Sequence, residues 1–320
     1  MKKKNHYKVS VLVLTYNPIW EKLVATLKSI ITQKNVSIQL VISDDGSKEN
    51  YFEKMEEYLR KNEFDNYIMI ANIQNEGTVL NMLHGLEVTT GEFIKTISPG
   101  DCLTDDYVLF TWIEDMVKKN VKWSFSDAIY YESKEDKFYI VQKNAHPANV
   151  RPYVKGKKEE CRWNYVVFGD IALGAAIIAQ RQIVVEYLRR IVGKVKYAED
   201  NIWRLMMFDG INGGYYPYPA ILYEVGAGVS TCGNEIWSKR LKQDWNETTK
   251  EMISTYKRND KFQRDAVYAI KKLNSKNKLI RFLIKGKIRM ILYTRFFRRK
   301  TPLKQSADCT IEKWFYKRRV

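Results

Sequence analysis

The sequence predicts an α/β fold with a mostly parallel central sheet flanked by helices, and three observations carry that prediction. Short, nearly continuous apolar runs alternate with segments of helical periodicity through residues 9–97. Each apolar run stops at a cluster of turn-forming polar residues. The 320 residues are 45% hydrophobic with only 7 Pro and 16 Gly, enough apolar material for a sizeable core and too much for a disordered chain.

The elements follow in order. Residues 9–14 (VSVLVL) read as a buried parallel strand ending at Thr15-Tyr16-Asn17-Pro18. Leu23, Leu27, Ile30 and Ile31 recur at helical spacing over residues 19–33. Residues 38–43 (IQLVIS) form a second strand, stopped by Asp44-Asp45-Gly46-Ser47. A polar helix spans about 49–62, a third strand 67–71 and a loop 72–77. Val79, Met82, Leu83 and Leu86 then mark a helix over 78–86, and 92–97 is a fourth strand broken by Ser98-Pro99-Gly100-Asp101. Right-handed crossovers place the strand ends at one edge, where open α/β sheets bind ligands. Farther on, 123–127 and 138–141 read as strands, 143–165 as a mobile polar loop, and 183–192 and 201–208 as helices.

Charge divides the chain unevenly. Net charge is +17, yet residues 236–320 carry 25 Lys and Arg against 7 Asp and Glu, whereas residues 1–235 carry 29 against 30. This predicts a nearly neutral body over 1–235 and a basic, mostly helical region over 236–320. The four cysteines (102, 161, 232, 309) have no paired spacing and no apolar leader precedes them, so a reduced, cytoplasmic setting is expected. No run of 18 apolar residues occurs, so no membrane span is expected. His6, His84 and His146 are scattered and form no metal-ligand pattern.

Thr15, Tyr16 and Asn17 follow the first strand, Asp44 and Asp45 the second, Asn75 and Gly77 the third, and Asp101 the fourth, so four strand ends deliver hydrogen-bonding groups to one edge. Taken with Asn81, Gly91-Glu92-Phe93-Ile94 and Glu199-Asp200, in this order and spacing, these residues resemble the family-two glycosyltransferases over roughly residues 8–232. The resemblance implies a GT-A-like fold and transfer of a single sugar, with inversion, from a nucleoside diphosphate donor, expected to be a UDP-sugar. Thr15, Tyr16, Asn17, Asp44, Asp45, Asn75, Gly77 and Asn81 would then serve the nucleotide, with Asp44 suited to the N–H of a uracil-type base. Asp200 would be the general base, with Glu199 beside it. The competing reading makes Asp200 only the N-cap of the following helix.

The family places a carboxylate cluster for a divalent metal, Mg or Mn, at the fourth strand's end. Here Ser98-Pro99-Gly100-Asp101 keeps Asp101 alone, so a Lys or Arg from elsewhere is expected to help offset the diphosphate charge. Trp163 and Gly174 fall where the family forms its acceptor wall, and Trp203 follows the Glu199-Asp200 pair; each is a candidate to meet the acceptor, with core packing as the competing and favoured reading. Residues 224–231 resemble the segment that closes the donor site. No Gln-x-x-Arg-Trp element of processive relatives occurs.

The basic region interleaves apolar residues with Lys and Arg over 277–300, a composition suited to an anionic membrane surface or to a helix packed on the body. The partners expected are a nucleotide sugar, a glycan or lipid-linked acceptor and an anionic membrane, with no nucleic acid. The setting expected is the inner face of a cytoplasmic membrane, in bacterial surface polysaccharide synthesis. Two rivals are a catalytically silent GT-A-like binding protein and a basic nucleic-acid-binding protein.

Overall fold

The computed structural model describes residues 7–134, 137–226 and 234–303. Its first half alternates β1 (Tyr7–Thr15), α1 (Trp20–Ile31), β2 (Val36–Asp44), α2 (Phe52–Lys61), β3 (Tyr67–Ala71), α3 (Thr78–Glu87) and β4 (Phe93–Ile97). These four strands lie parallel in the order β3-β2-β1-β4. Val9, Val11 and Val13 point into a core with α1, α2 and the later α4 (Val108–Lys119). Leu12 of β1 and Val41 of β2 point the other way, onto α3. Both faces being covered is why β1, β2 and β4 are apolar almost throughout, whereas β3 at the sheet edge is only partly buried.

The second half completes a mixed sheet. Its elements are β5 (Cys102–Leu103), α4, β6 (Trp123–Lys134), β7 (Lys137–Ile140), α5 (Arg151–Val154), α6 (Lys158–Phe168), β8 (Ile177–Gln180), α7 (Arg181–Ile191), α8 (Asn201–Phe208) and β9 (Gly214–Glu224). The strand order continues from β4 through β8, β6 and β9 to β5, with β7 beside β6. β8 runs antiparallel to both β4 and β6, so the run of consecutive parallel strands ends at β4, while β6 and β9 pair in parallel beyond it.

The loop expected over 143–165 is instead largely helical. The charge run forms the start of α6, with Glu159 and Glu160 in its first turn, where acidic groups suit the helix dipole. Cys161, Tyr165 and Val166 behind it are buried in the core. Of the expected basic region, α9 (Glu235–Thr255) and α10 (Lys261–Leu273) place Met252, Phe262, Ala266 and Ile270 in the same core as α6 and α8. α11 (Lys278–Phe282) and α12 (Lys287–Arg295) follow. Among the described residues, no helix is long and apolar enough to cross a membrane. Residues 227–231 of the glycine-spaced segment, together with Cys232, Cys309 and His6, lie outside the described residues.

Candidate active site

The strand ends surround a cleft of about 480 Å3. Register brings Thr15, Asp44 and Ala71 level across β1, β2 and β3. Asp44 is fully buried. Its Oδ2 accepts from the Thr15 hydroxyl (2.8 Å) and the Ser47 hydroxyl (2.6 Å), and its Oδ1 from the Ser47 N–H (2.8 Å). Asp44 is not among the residues lining the cleft, and its carboxylate is bonded into the turn. Asp45 does line the cleft, held by the Asn72 amide (3.0 Å) and the N–H groups of Glu76 (2.8 Å) and Gly77 (3.0 Å).

Thr15, Tyr16, Asn17 and Asn81 also line the cleft. Asn81 is locked to Ser43 through its amide and carbonyl. Tyr16 is more than half exposed, so its ring is the open aromatic surface on this side. Asn75 is exposed on the loop after β3 and is not a cleft residue. Gly77, at φ +95°, packs against the main chain of Lys196, and any side chain there would collide with it. Gly77 thus shapes the loop without facing the cleft.

The opposite wall carries the ionisable groups. Asp200 precedes α8, but its side chain makes no capping bond to the helix. The carboxylate lies instead over Gly174, where an added Cβ would fall about 1.9 Å from Oδ2. Both residues line the cleft, so Gly174 has the physical role of leaving room for the Asp200 carboxylate. Burial pushes Asp200 up to about 6, against the pull of a hydrogen bond from the Trp203 side chain and of Lys95. Glu199 is pushed well above the carboxylate range, by burial first and by the neighbouring Asp200 second.

Two supports of Asp200 were not singled out in the sequence. Lys95, fully buried in β4, donates to the carbonyl of Ala175 (2.7 Å) and to that of Thr96, bracing the Gly174 turn. Burial pulls its ammonium down to about 7, with Asp101 and Asp200 opposing. The signal was available as a charge in the middle of the apolar run Phe93-Ile94-Lys95-Thr96-Ile97. Asp244, on α9, accepts from the N–H groups of Lys196 (3.2 Å), Tyr197 (2.7 Å) and Ala198 (2.9 Å), clamping the loop that delivers Glu199 and Asp200. No local pattern could pair residues so far apart in sequence.

The third corner is anionic. Asp101 Oδ1 accepts from the Glu224 N–H (3.1 Å), and burial pushes Asp101 up to about 7, against the pull of that N–H and of Lys95. Glu224 Oε1 pairs with Lys22 at 2.6 Å, while its Oε2 is buried with no hydrogen-bond partner. Oε2 lies where a Cβ on Gly100 would be, at 2.6 Å, so the turn accommodates this carboxylate only because residue 100 is glycine. Two converging carboxylates, one with an orphaned oxygen, fit a hard cation. They make a pair and not a set: among the described residues no three His, Cys, Asp or Glu side chains are grouped to hold a metal. Among the described residues, Lys22 is the basic side chain lining the cleft.

Trp203 and Trp163 pack against other rings and do not line the cleft. Trp203 is buried, stacked on Trp123 with centroids 5.3 Å apart, and its polar edge serves Asp200. Trp163 donates to the Lys285 carbonyl (2.8 Å) and packs edge-on against Phe262, lining a separate hollow between α6 and the C-terminal helices. Helical periodicity cannot tell a core tryptophan from a cleft tryptophan. His84 bonds Asn72 through Nδ1 (2.8 Å) and takes no part in the cleft.

Residues 10–180 match the family described as glycosyl transferase family 2. The chain belongs to that family. It is 26% identical over 222 residues to the dTDP-rhamnosyl transferase RfbG of Shigella flexneri, a match covering 64% of this chain and 70% of that protein. Of the first three curated relatives it matches, the chain spans 18%, 33% and 42% of the length. In fold it is similar to Staphylococcus aureus TarS 1–349 solved with UDP, at a TM-score of 0.53 and 11% identity over 89% of this chain and 78% of that one. It is similar also to the mannosyltransferase PcManGT of Pyrobaculum calidifontis, solved with GDP-Man and Mn2+, at a TM-score of 0.58 and 14% identity over 83% and 69% of the two chains. These likenesses establish the GT-A-like α/β architecture of this family-2 chain.

Proposed function

We propose that this family-2 glycosyltransferase moves one sugar from a pyrimidine nucleoside diphosphate donor, a UDP-sugar, to a hydroxyl of a glycan or lipid-linked acceptor, with inversion. The observation that carries the reading is the Asp200 carboxylate: it leaves the helix end uncapped, sits over Gly174 and lines a cleft that also holds Asp101, Glu224 and Lys22. TarS was solved with UDP and RfbG is named for a dTDP sugar, both pyrimidine nucleotides, which supports that donor class.

In the reaction, the acceptor oxygen attacks the anomeric carbon as the bond to the diphosphate breaks and its electron pair leaves with the phosphate. Asp200, ionised above about 6, takes the hydroxyl proton. Lys22 offsets charge on the departing diphosphate. Asp101 and Glu224 would hold a divalent metal, Mg or Mn; when bound, it would withdraw charge from the same leaving group. Tyr16 and Asp45 line the nucleotide side, and residues 1–235 with the α9 clamp form the catalytic unit. The pathway proposed is bacterial surface polysaccharide synthesis, at the inner face of a cytoplasmic membrane.

The test is a binding and hydrolysis screen of nucleoside diphosphate sugars, with and without manganese, on wild type and Asp200→Asn. We expect saturable UDP- or dTDP-sugar binding in both proteins, with turnover falling about 100- to 10,000-fold in the variant, the range for loss of a general base. Binding without turnover in wild type, even with membrane extract as acceptor, would indicate a silent member of the family. Failure to bind any nucleotide sugar would sink the proposal.

A further inference from the structure

α11, α12 and the strap that follows present an unusual surface. Eight of the eighteen large apolar side chains exposed among the described residues fall within residues 279–303, while the other ten are spread over the rest of the chain. On α11, Leu279 and Phe282, with Leu283 just past its end, stand at helical i, i+3, i+4 spacing and are all exposed. On α12, Ile288 and Leu292, with Phe296 at its end, repeat the pattern at i, i+4, i+8. Leu283 and Phe296 are each over 70% accessible. Nine Lys and Arg and no Asp or Glu share residues 277–300 with them.

This is not an undocked tail. On the inner side Met290 is buried and Arg289 pairs with Glu160 at 2.7 Å. Arg299 pairs with Asp127 at 2.8 Å, and the Thr301 N–H donates to the Lys143 carbonyl at 3.0 Å. The segment is therefore fixed to the body with its apolar side chains outward, which monomeric soluble proteins seldom tolerate without a partner.

We propose that this face docks on an anionic lipid bilayer. Acyl chains take the phenylalanine and leucine side chains, and lipid phosphates take the interleaved cations. A second copy of the chain is the poorer occupant. An isologous contact would bring the same cationic face against itself, and interface cores are depleted of lysine. The docking also gives the cleft a direction. Lys300 and Thr301 line a small cavity together with Leu173, and Leu173 is also part of the main cleft wall. The lipid-facing segment thus ends beside the active cleft, within reach of a hydroxyl carried by a membrane lipid. That last step rests on the glycosyltransferase reading; the bilayer contact does not.

The test is co-sedimentation of the full chain with phosphatidylcholine vesicles, with and without about one-third phosphatidylglycerol, in low and high salt. Wild type should bind the anionic vesicles, release as salt rises, and bind neutral vesicles weakly. The double variant Leu283→Ser/Phe296→Ser should lose at least tenfold in vesicle affinity while its melting temperature and its donor hydrolysis in solution stay unchanged, because both side chains are exposed and away from the cleft. Equal binding by wild type and the variant, or no preference for anionic lipid, overturns the proposal. So does a dimer in light scattering that the double substitution dissociates, which would assign the face to a second copy. Absence of nucleotide-sugar hydrolysis in wild type would count against the catalytic reading alone and leave the vesicle result standing.

Discussion

At the β1–β2 end of the cleft, Asp44 and Asp45 accept six hydrogen bonds from their own protein. At the β8–α8 end, Asp200 receives a bond from Trp203, caps nothing, and sits over a glycine in a pocket that pushes its proton affinity up. The same residue type thus does two jobs. Where donors saturate the carboxylate, it holds a turn in shape. Where burial outweighs the available donors, its proton affinity is raised, the property the proposed role as base requires. A polar residue after a strand is evidence of a site only once its partners are counted.

This contrast can be broken at several points. The largest effect is expected at Gly174→Ala, where the new methyl group must displace the Asp200 carboxylate; turnover should fall about 100-fold, the scale of an ångström-level misplacement, with donor affinity preserved in calorimetry. Unchanged turnover would mean that Asp200 is not the base. Asp244→Ala should come next. It orphans three backbone N–H groups behind the catalytic loop, so we expect a loss of about 3 kcal/mol in denaturant unfolding, at the upper end for a buried unsatisfied set, together with lower turnover and unchanged nucleotide affinity.

Asp44→Ala should cost about 2 kcal/mol of stability through its stranded Thr15 and Ser47 donors while leaving turnover per folded molecule nearly intact. A selective loss of uridine nucleotide binding there would restore Asp44 to the site. The smallest effect is expected at Trp203→Phe. Wild-type activity should rise with pH through about 6, as Asp200 loses its proton. The Trp203 bond stabilises the charged carboxylate, so removing it raises the pKa and moves this acid limb to higher pH, with little change on the plateau. A limb that stays in place would show that Asp200 does not set it.

How much of this was legible beforehand varies by element. β1, β2 and β4 were readable because a strand covered on both faces is apolar along its length, β3 was readable because it is a short apolar run, and Asp44-Asp45-Gly46-Ser47 and Ser98-Pro99-Gly100-Asp101 are turn-forming sequences. α6 was misread as a loop, because its first turn is charged and its buried face begins only at Cys161. The division at residue 235 was drawn from charge, yet α9 and α10 share the core of α6 and α8. Charge reports the solvent side of a helix and says nothing of its inner side.

The sequence by itself determined the parallel half of the sheet and the edge at which its polar strand ends, Asp101 among them, gather, because alternation and turn chemistry are local properties of the chain; the candidacy of Gly174, Glu199 and Asp200 came from the family resemblance. Only the tertiary structure decided which carboxylates are saturated by turn donors and which are left short of them, that Glu224 joins Asp101 with Lys22 beside it, that Lys95 and Asp244 brace the segments around Gly174 and Asp200, and that Trp163 and Trp203 turn away from the cleft. Burial and hydrogen-bond saturation are sums over neighbours brought together from distant parts of the chain, and no single stretch of sequence contains them.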